Sequence, residues 1–350
     1  MSTSQIGDRA RWKAALVVVL TLGLLAMFFW NVDARGVVDA LSHARVDLLA
    51  GALAFTAVTY LFRTWRWQAL LAPIGGARFR TAFRTTIIGF TANGLLPGRV
   101  GEVLRPYLLA RQENLSAAAS FATIIIERLL DLVTVLLFFE VFLLASPVAP
   151  GSAAEHSLEK VKFLGAMAAV GGFGALAVLF IGAGHPERLG RWAGRMSRAL
   201  PGPVGQAAEK GVRLFVEGLA VMRRPGPLVL AFALSLPMWL SIGCGIWLTS
   251  RAFDLTLPFP GAFLIMMFLV VGVAVPTPSG VGSFHWAYKL AVMMYFGASE
   301  GAAVAAAIVL HALSFLPVTL VGLVFIAQDG LTLAGLRRMR DTAAKAEHIE

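Results

Sequence analysis

The fold follows from the stretch Asn93-Gly-Leu-Leu-Pro97-Gly-Arg99-Val-Gly-Glu102-Val-Leu-Arg105-Pro-Tyr-Leu-Leu-Ala-Arg111, which breaks an apolar segment, residues 81–107, in its middle. A second apolar segment, residues 261–296, is broken in the same way by Pro276-Thr-Pro278-Ser-Gly280-Val-Gly282. Backbone that such breaks free from helical hydrogen bonding is tolerated at membrane depth only where protein or a water-filled cavity surrounds it. Each broken segment therefore predicts a re-entrant helical hairpin.

The two breaks share a pattern at an offset of 181 residues. Pro, Val and Gly coincide between Pro97-Gly98-Arg99-Val100-Gly101-Glu102 and Pro278-Ser279-Gly280-Val281-Gly282-Ser283. Paired interruptions in corresponding places of two halves point to the binding site of a transporter. We expect an inverted repeat whose hairpin tips meet, with the backbone breaks at Pro97, Gly98, Gly101, Pro278, Gly280 and Gly282.

The composition places the chain in a membrane. Of its 350 residues 58% are hydrophobic and 14% are charged, with a mean hydropathy of +0.75. Soluble domains carry about 25% charged residues, so an ordinary soluble enzyme is excluded. The net charge of +10 is explained more simply by basic cytoplasmic loops than by nucleic acid, which we do not expect as a partner. The single cysteine, Cys244, leaves no disulfide within the chain, and we expect neither a metal nor a cofactor.

Six further segments are long and apolar enough to cross a bilayer. They are residues 13–30, 48–71, 117–145, 161–183, 227–250 and 301–327. The predicted fold is thus an all-α polytopic bundle of about six spans and two opposed hairpins, and the alternative counts each broken segment as one or two true spans. The first segment also has features of a signal peptide, although its length favours an uncleaved span.

The basic residues predict sidedness. With both termini in the cytoplasm, 23 of the 30 Lys and Arg residues fall on the cytoplasmic side and five on the other. This asymmetry predicts a multi-pass protein of a bacterial-type plasma membrane. We expect one membrane domain over residues 1–350, with halves at about 1–183 and 226–330, an amphipathic cytoplasmic connection at 184–225 and a basic, polar tail at 331–350.

Charged residues inside apolar segments are the candidate site, because a charge at membrane depth needs a partner or a function. The predicted lipid-headgroup residues are Asn93, Arg99, Glu102, Arg105, Glu127, Arg128 and Asp131. An arginine fork can bind a phosphate bidentately, and a freed helix N-terminus adds backbone donors. The alternatives are an ion-pair cluster that only pins the third span to the hairpin, and, for Asn93 and the glycines, a role in shaping the break. Asp131, His285 and His311 are candidates for proton-linked steps.

The quoted stretch, together with Glu127-Arg128-Leu-Leu-Asp131 and the second break, resembles the lysylphosphatidylglycerol synthase transmembrane (flippase-like) family over nearly the whole chain. In the best-known members this region is the lipid-flipping half of a protein whose soluble half makes aminoacylated phosphatidylglycerol, and that soluble half is absent here. His285 stands where the family commonly has a glutamate, which puts any role of that acid in doubt.

The predicted function is a lipid translocase that moves an anionic phospholipid or glycolipid between leaflets through a polar midplane cavity. The alternative is a membrane-embedded lipid-modifying transferase, or a subunit of one. Walker-type, hydrolase and zinc-protease motifs are missing from the sequence, which favours a transporter over an enzyme. Membrane lipids are the expected partners, with a second copy of the chain and a separate lipid synthase as further candidates.

Overall fold

The computed structural model describes residues 19–29, 32–96, 99–145, 224–275 and 277–330, and single residues between 163 and 174. Within these ranges the chain is helical and has no strand, which confirms the predicted all-α bundle. The five continuous ranges contain ten α-helices: α1 Val19–Phe28, α2 Ala34–Ser42, α3 Val46–Leu71, α4 Phe79–Leu95, α5 Val100–Glu113, α6 Ala117–Ala145, α7 Pro225–Ala252, α8 Gly261–Ala274, α9 Ser283–Phe296 and α10 Glu300–Gln328. Short 3-10 turns lie at Ala72–Ile74 and, in the second break, at Pro278–Gly280.

Three of the described helices are long and apolar enough to cross a membrane: Val46–Ile74, Pro225–Ala252 and Glu300–Gln328. They confirm the spans predicted at 48–71, 227–250 and 301–327. Helix α6 has the predicted bounds, but it carries three charged residues within five positions, so its apolar run is interrupted. Only α1 is described of the span predicted at 13–30, and the span at 161–183, the connection at 184–225 and the tail at 331–350 lie essentially outside the described residues.

Large apolar side chains on the long helices are exposed, as expected for surfaces that face lipid. On α10, Leu316, Leu320 and Val324 are each more than half exposed. Contiguous exposed apolar surface on this scale marks a membrane or protein contact rather than a water-facing surface. Together with the three apolar spans, it identifies the fold as a helical membrane bundle.

Each broken segment forms a helical hairpin. The arms have 17 and 14 residues in α4 and α5, and 14 each in α8 and α9. At 1.5 Å per residue such arms span about 21–26 Å, less than the ~30 Å of the hydrocarbon core. The arms pack closely, because a Cβ on Gly101 would lie 1.8 Å from the backbone oxygen of Gly89. Arms this short and this tightly paired favour re-entrant hairpins over separate spans.

The internal repeat extends over four helices in each half. Helices α3 to α6 recur in the same order as α7 to α10, with lengths of 26, 17, 14 and 29 residues against 28, 14, 14 and 29. The starts of α5 and α9, Val100 and Ser283, are separated by the same 183 positions as the starts of α6 and α10, Ala117 and Glu300. The six-residue motif repeats at an offset of 181, two fewer than the helix starts, so the second break is two residues longer before its following helix.

The two halves are inverted with respect to each other. The equivalent helices α3 and α7 run antiparallel, since Gly51 near the start of α3 packs against Leu248 near the end of α7. Towards the end of α3, Arg66 donates a hydrogen bond to Ser235 near the start of α7, at 3.2 Å. Equivalent helices that point in opposite directions define an inverted repeat, as predicted.

The hairpins interlock with the opposite halves. Thr91 of α4 donates to the carbonyl of Val318 in α10 at 3.0 Å, while the ring of Phe263 in α8 lies against that of Phe138 in α6, with 4.7 Å between ring centroids. The first arm of each hairpin thus packs on the last helix of the other half. A movement of one hairpin must be accommodated by both halves.

The tips of the two hairpins touch, which confirms their predicted meeting. Ser279 in the second break donates to the carbonyl of Gly94 at 3.2 Å. Arg99 in the first break donates to the carbonyl of Val273 at the end of α8, at 2.9 Å. Backbone carbonyls that the breaks leave without helical partners therefore find partners in the opposite hairpin.

Helix α1 packs on the second break. The left-handed Gly282, with a φ of +86°, has Leu24 so close that a Cβ would lie 2.7 Å from the Leu24 Cβ. Phe28 is fully buried beside His285. This packing makes α1 an element of the bundle and favours the uncleaved span.

Candidate functional site

Six charged residues of the first half meet inside the bundle and form what we name the arginine cluster. Its members are Arg63 and Arg66 of α3, Arg105 of α5, and Glu127, Arg128 and Asp131 of α6. Five of them are less than a tenth exposed, whereas the side chain of Arg128 is 40% exposed. The cluster therefore reaches the surface of the bundle through Arg128.

Glu127 is the centre of the cluster. Its Oε1 atom lies 3.1 Å from Arg66 Nη2, and Arg105 Nη1 and Arg128 Nη2 each donate to it at 3.0 Å. Three guanidinium groups from three helices thus share one carboxylate oxygen. Such pairing is what allows an ionised carboxylate to remain buried, because an unpaired charge in this environment costs several kcal/mol.

Asp131 lies one helical turn beyond Glu127 and joins the cluster to the second half. Its Oδ1 atom accepts from Arg66 Nη1 and, at 2.9 Å, from the indole nitrogen of Trp239 on α7. Its Oδ2 atom lies 3.4 Å from Arg128 Nη1. A change in the relative position of α6 and α7 would therefore directly alter the contacts of the charged residues.

Aromatic rings lie against two of the cluster arginines. The Arg105 guanidinium lies 3.7 Å from the ring centre of Trp67, and that of Arg63 lies 4.6 Å from the ring centre of Phe90. A cation over an aromatic face gains about 0.5–2 kcal/mol, more when it is desolvated. Gly89 permits the close approach of α5, because a Cβ there would lie 2.9 Å from that of Arg105.

The cluster carries more positive than negative charge. Three guanidinium groups form ion pairs with the two carboxylates, and that of Arg63 lies close to them without an ion pair among the described residues. Two positive charges therefore remain uncompensated within the cluster. Guanidinium nitrogens of all four arginines also lack a hydrogen-bond partner among the described residues, as do one oxygen of Glu127 and one of Asp131. Buried donors in excess over acceptors suit a ligand that brings negative oxygens.

Four of the seven predicted headgroup residues belong to this cluster: Arg105, Glu127, Arg128 and Asp131. Arg99 and Glu102 lie at the first break, partly exposed and 3.6 Å from each other, and the described contacts do not join them to Glu127 or Asp131. The Asn93 side chain accepts from the backbone N–H of Gly101 at 2.7 Å, which is the break-shaping arrangement.

Four cluster partners were not predicted. Arg63 and Arg66 lie at the end of a predicted span, where their charge was assigned to the cytoplasmic surface, but they are buried. Their spacing of three residues in Arg63-Thr-Trp-Arg66, on one face of a helix, was the available signal. Ser235 and Trp239 are neutral residues in an apolar run, and nothing in the sequence marks them.

The two breaks share a left-handed residue at one position of the repeated motif. Arg99 and Gly280 occupy the same place in the repeated motif, and both are left-handed, with φ of +53° and +69°. For a non-glycine residue this conformation costs about 1–2 kcal/mol, so its retention at Arg99 is a constraint imposed by the fold. Gly280 and Gly282 form the second break with Pro278 at the start of its 3-10 turn, whereas Pro97 and Gly98 lie outside the described residues.

The second half holds a pair of histidines where the first half has charges. His285 and His311 lie 4.5 Å apart between ring centroids. His285 is the third residue of α9, as Glu102 is of α5, and His311 is the twelfth residue of α10, as Arg128 is of α6. His311 Nε2 lies 3.0 Å from the carbonyl of Ser279 in the break.

The remaining positions equivalent to the arginine cluster are uncharged. Arg105, Glu127 and Asp131 correspond by helix position to Tyr288, Leu310 and Ser314. The repeat is therefore symmetric in backbone but asymmetric in charge. His285, His311 and Asp131 are the residues predicted for proton-linked steps. The two histidines lie next to each other, whereas Asp131 is bound by Arg66 and Trp239.

The chain is similar to two curated proteins. It is 30% identical over 122 residues, 34% of this chain, to a protein named glycosyltransferase AglD from Haloferax volcanii, and this match covers 19% of that protein. It is 21% identical over 142 residues, 40% of this chain, to the UPF0104 membrane protein MJ1595 of Methanocaldococcus jannaschii, covering 42% of it. The chain thus matches well under half the length of either relative.

The broader resemblance covers most of the molecule. The family described as lysylphosphatidylglycerol synthase TM region matches residues 13–322, which include every helix of the arginine cluster, all of both hairpins and α10 as far as Gly322. This is the family that the two breaks and the Glu127-Arg128-Leu-Leu-Asp131 motif suggested. The chain is a membrane protein and belongs to the lysylphosphatidylglycerol synthase TM region family.

Proposed function

We propose that this protein is a lipid translocase, which moves an anionic phospholipid or glycolipid between the leaflets of the membrane. The observation that carries the proposal is the buried excess of positive charge in the arginine cluster, beside two opposed hairpins. The anionic headgroup would bind there while the acyl chains remain in lipid.

The chemistry of the cluster suits a phosphate. Arginine presents planar donors that match phosphate oxygens and stays charged when desolvated. The guanidinium nitrogens of Arg66 and Arg105 that make no hydrogen bond among the described residues lie on two helices of the first half. Because Arg128 is the exposed member of the cluster, we assign it the first contact with an arriving headgroup.

The inverted repeat supplies the means of alternating access. In transporters built this way, one half takes up the conformation of the other, and the binding site opens to each side in turn. The antiparallel α3 and α7 and the touching hairpin tips support this mechanism here. The histidine pair, at positions equivalent to Glu102 and Arg128, is the candidate for coupling the exchange to protons.

The test is a translocation assay. The full chain is reconstituted in liposomes with a fluorescent anionic phospholipid, and its transfer between leaflets is followed by quenching from outside. Arg105→Gln should lower the rate by about 10- to 100-fold, since a hydrogen bond to a charged group contributes ~1.5–3 kcal/mol. Arg78→Gln, at an exposed position outside the cluster, is the matched control and should leave the rate unchanged.

Arg105→Lys separates a binding role from a structural one. It keeps the charge beside Glu127 but loses the fork, so it should restore folding without restoring the rate. The proposal would be abandoned if the wild-type chain moved no anionic phospholipid or glycolipid and bound none.

A membrane-embedded lipid-modifying transferase, or a subunit acting with a separate lipid synthase, is the second candidate. The similarity to a protein named glycosyltransferase favours it, although the match covers a small part of that protein. Against it, both carboxylates of the cluster are held by arginines, which disfavours the proton transfers of general acid–base catalysis. Lipid mass spectrometry of membranes with and without the protein separates the two, because only a transferase changes lipid mass.

A further inference from the structure

The charge balance of the arginine cluster narrows the class of headgroup that it can bind. An arginine is always protonated in a protein, and both carboxylates are held in their charged form by several guanidinium groups. The cluster therefore carries two excess positive charges. Its charged side chains are buried, apart from that of Arg128. Buried charge of this size requires a counter-charge close by.

The neighbouring residues do not provide that counter-charge. Glu102 is near enough to act on Arg128, but it also lies 3.6 Å from Arg99, so this outer pair adds no net charge. Ser235 and Trp239, which contact the cluster from α7, are neutral. Among the described residues, Glu127 and Asp131 are the carboxylates that the buried arginines contact.

The polar atoms without a hydrogen bond also favour an anionic ligand. Six guanidinium nitrogens of the cluster make no hydrogen bond within the described residues, against two carboxylate oxygens, although Arg66 Nη2 and Asp131 Oδ2 take part in ion pairs at 3.1 and 3.4 Å. A phosphomonoester has three terminal oxygens and a charge of about −1.5 to −2 at pH 7, with its second pKa near 6. A phosphodiester has two such oxygens and one charge, and an added amine would reduce the charge further.

We infer that the ligand of the arginine cluster is a lipid whose headgroup ends in a dianionic phosphate, rather than a phosphodiester or an amine-bearing lipid. This inference rests on the proposed function and specifies its substrate class. Free phosphate and such a lipid share the terminal phosphate group. The acyl or prenyl chain that anchors the lipid distinguishes the two.

The experiment compares two lipids that share their acyl chains. Binding of dioleoyl phosphatidic acid and of dioleoyl phosphatidylglycerol is measured on the full chain in phosphatidylcholine nanodiscs. At about pH 7 phosphatidic acid should bind about 10-fold more tightly, and at about pH 5, where the phosphomonoester has lost its second charge, the preference should disappear. Excess inorganic phosphate should fail to displace phosphatidic acid, whereas complete displacement would overturn the assignment to a lipid.

Arg63→Gln tests the charge count, and Arg78→Gln is its control with the same loss of charge. It lowers the excess from two charges to one, so it should abolish the preference for phosphatidic acid while phosphatidylglycerol still binds. Arg78→Gln, which removes one arginine outside the cluster, should keep the preference. Because the pH comparison uses the wild-type chain, the inference stays testable even if Arg63→Gln fails to fold.

The failure of this inference differs from a failure of the proposed function. Equal affinity for the two lipids at neutral pH, with translocation intact, would overturn the dianionic class alone. The absence of both binding and translocation for either lipid would overturn the translocase proposal as well.

Discussion

Glu127 is the residue on which the arginine cluster depends most. One of its oxygens is shared by Arg66, Arg105 and Arg128, and its side chain is fully buried. Removal of its charge would leave three guanidinium groups buried without their main partner. A buried ion pair adds little net stability compared with apolar packing, but removing one partner is strongly destabilising.

We therefore predict that Glu127→Gln lowers the free energy of unfolding by about 3–5 kcal/mol. The exposed ion pair of Arg45 and Asp47, at 2.9 Å, provides the comparison, and Asp47→Asn should cost about 1 kcal/mol or less. Reversible denaturation in detergent micelles measures both. Equal effects of the two variants would show that the cluster is hydrated in the folded protein rather than buried.

Sequence reasoning found the cluster residues whose charge interrupts an apolar run. Glu127, Arg128 and Asp131 stand inside a span, where a charge is costly enough to be noticed. Arg63 and Arg66 lie near the end of a span beside Trp65 and Trp67, where basic and aromatic residues usually mark the interface. Burial of these two arginines depends on α5 and α6 packing over them, which is tertiary information that a single helix does not carry.

At the scale of elements, the hairpins were predictable and their partners were not. Gly and Pro in the middle of an apolar run mark a broken helix, and the shared motif placed the two breaks in register. The packing of α4 on α10 and of α8 on α6 could not be predicted from the residue types. The extent of the repeat could not be predicted from the sequence, because residues at equivalent positions differ although the helix lengths are similar.

The touching tips predict that the hairpins can be locked together. A Cβ on Gly94 would lie 2.8 Å from the Ser279 Oγ. This is close to the distance between the Cβ of one cysteine and the sulfur of the other in a disulfide. The double variant Gly94→Cys and Ser279→Cys, in a chain with Cys244→Ser, should form a disulfide under oxidation and stop translocation. Reductant should restore it, and each single-cysteine chain serves as a control. Full activity of the oxidised, cross-linked chain would contradict a mechanism that separates the tips.

The histidine pair predicts a dependence of translocation on pH. His285 faces His311 and the rings of Phe28 and Phe284. Lys289, which lies 6.0 Å from the centre of the Phe28 ring, is paired with Glu300. Protonation of both imidazoles would place like charges 4.5 Å apart and drive the second hairpin away from α10. His285→Gln should flatten the acidic side of the pH profile of the rate, where the imidazoles take up protons. An unchanged profile in this variant would remove the pair from the mechanism.

At the scale of the whole molecule, two inverted halves share a backbone plan but differ in charge. The first half carries the fixed charges of the arginine cluster, and the second carries neutral residues and two histidines in the equivalent places. An exchange of conformation between the halves would then move the fixed charges relative to the titratable ones. Composition predicted the membrane class, but this asymmetry emerges only when the helices are aligned in space.

The sidedness of the molecule remains a prediction from its loops. The distribution of 23 basic residues on one side predicts both termini in the cytoplasm. The buried positions of Arg63, Arg66 and Arg105 remove three of these residues from the surface without altering the sign of the asymmetry. In the predicted orientation the cluster would lie towards the cytoplasmic end of α3, where a headgroup from the inner leaflet would arrive.

The central claim is that the arginine cluster binds the headgroup of the lipid that is moved. Its most direct test is photo-crosslinking of the reconstituted chain with a phospholipid that carries a photoactivatable group beside its phosphate, with the attachment points mapped by peptide mass spectrometry. The account predicts attachment within α3, α5 and α6 around Arg66, Arg105 and Arg128, and its loss in Arg105→Gln. Attachment confined to the outer faces of the bundle, such as Leu316 and Leu320 of α10, while translocation proceeds would contradict it.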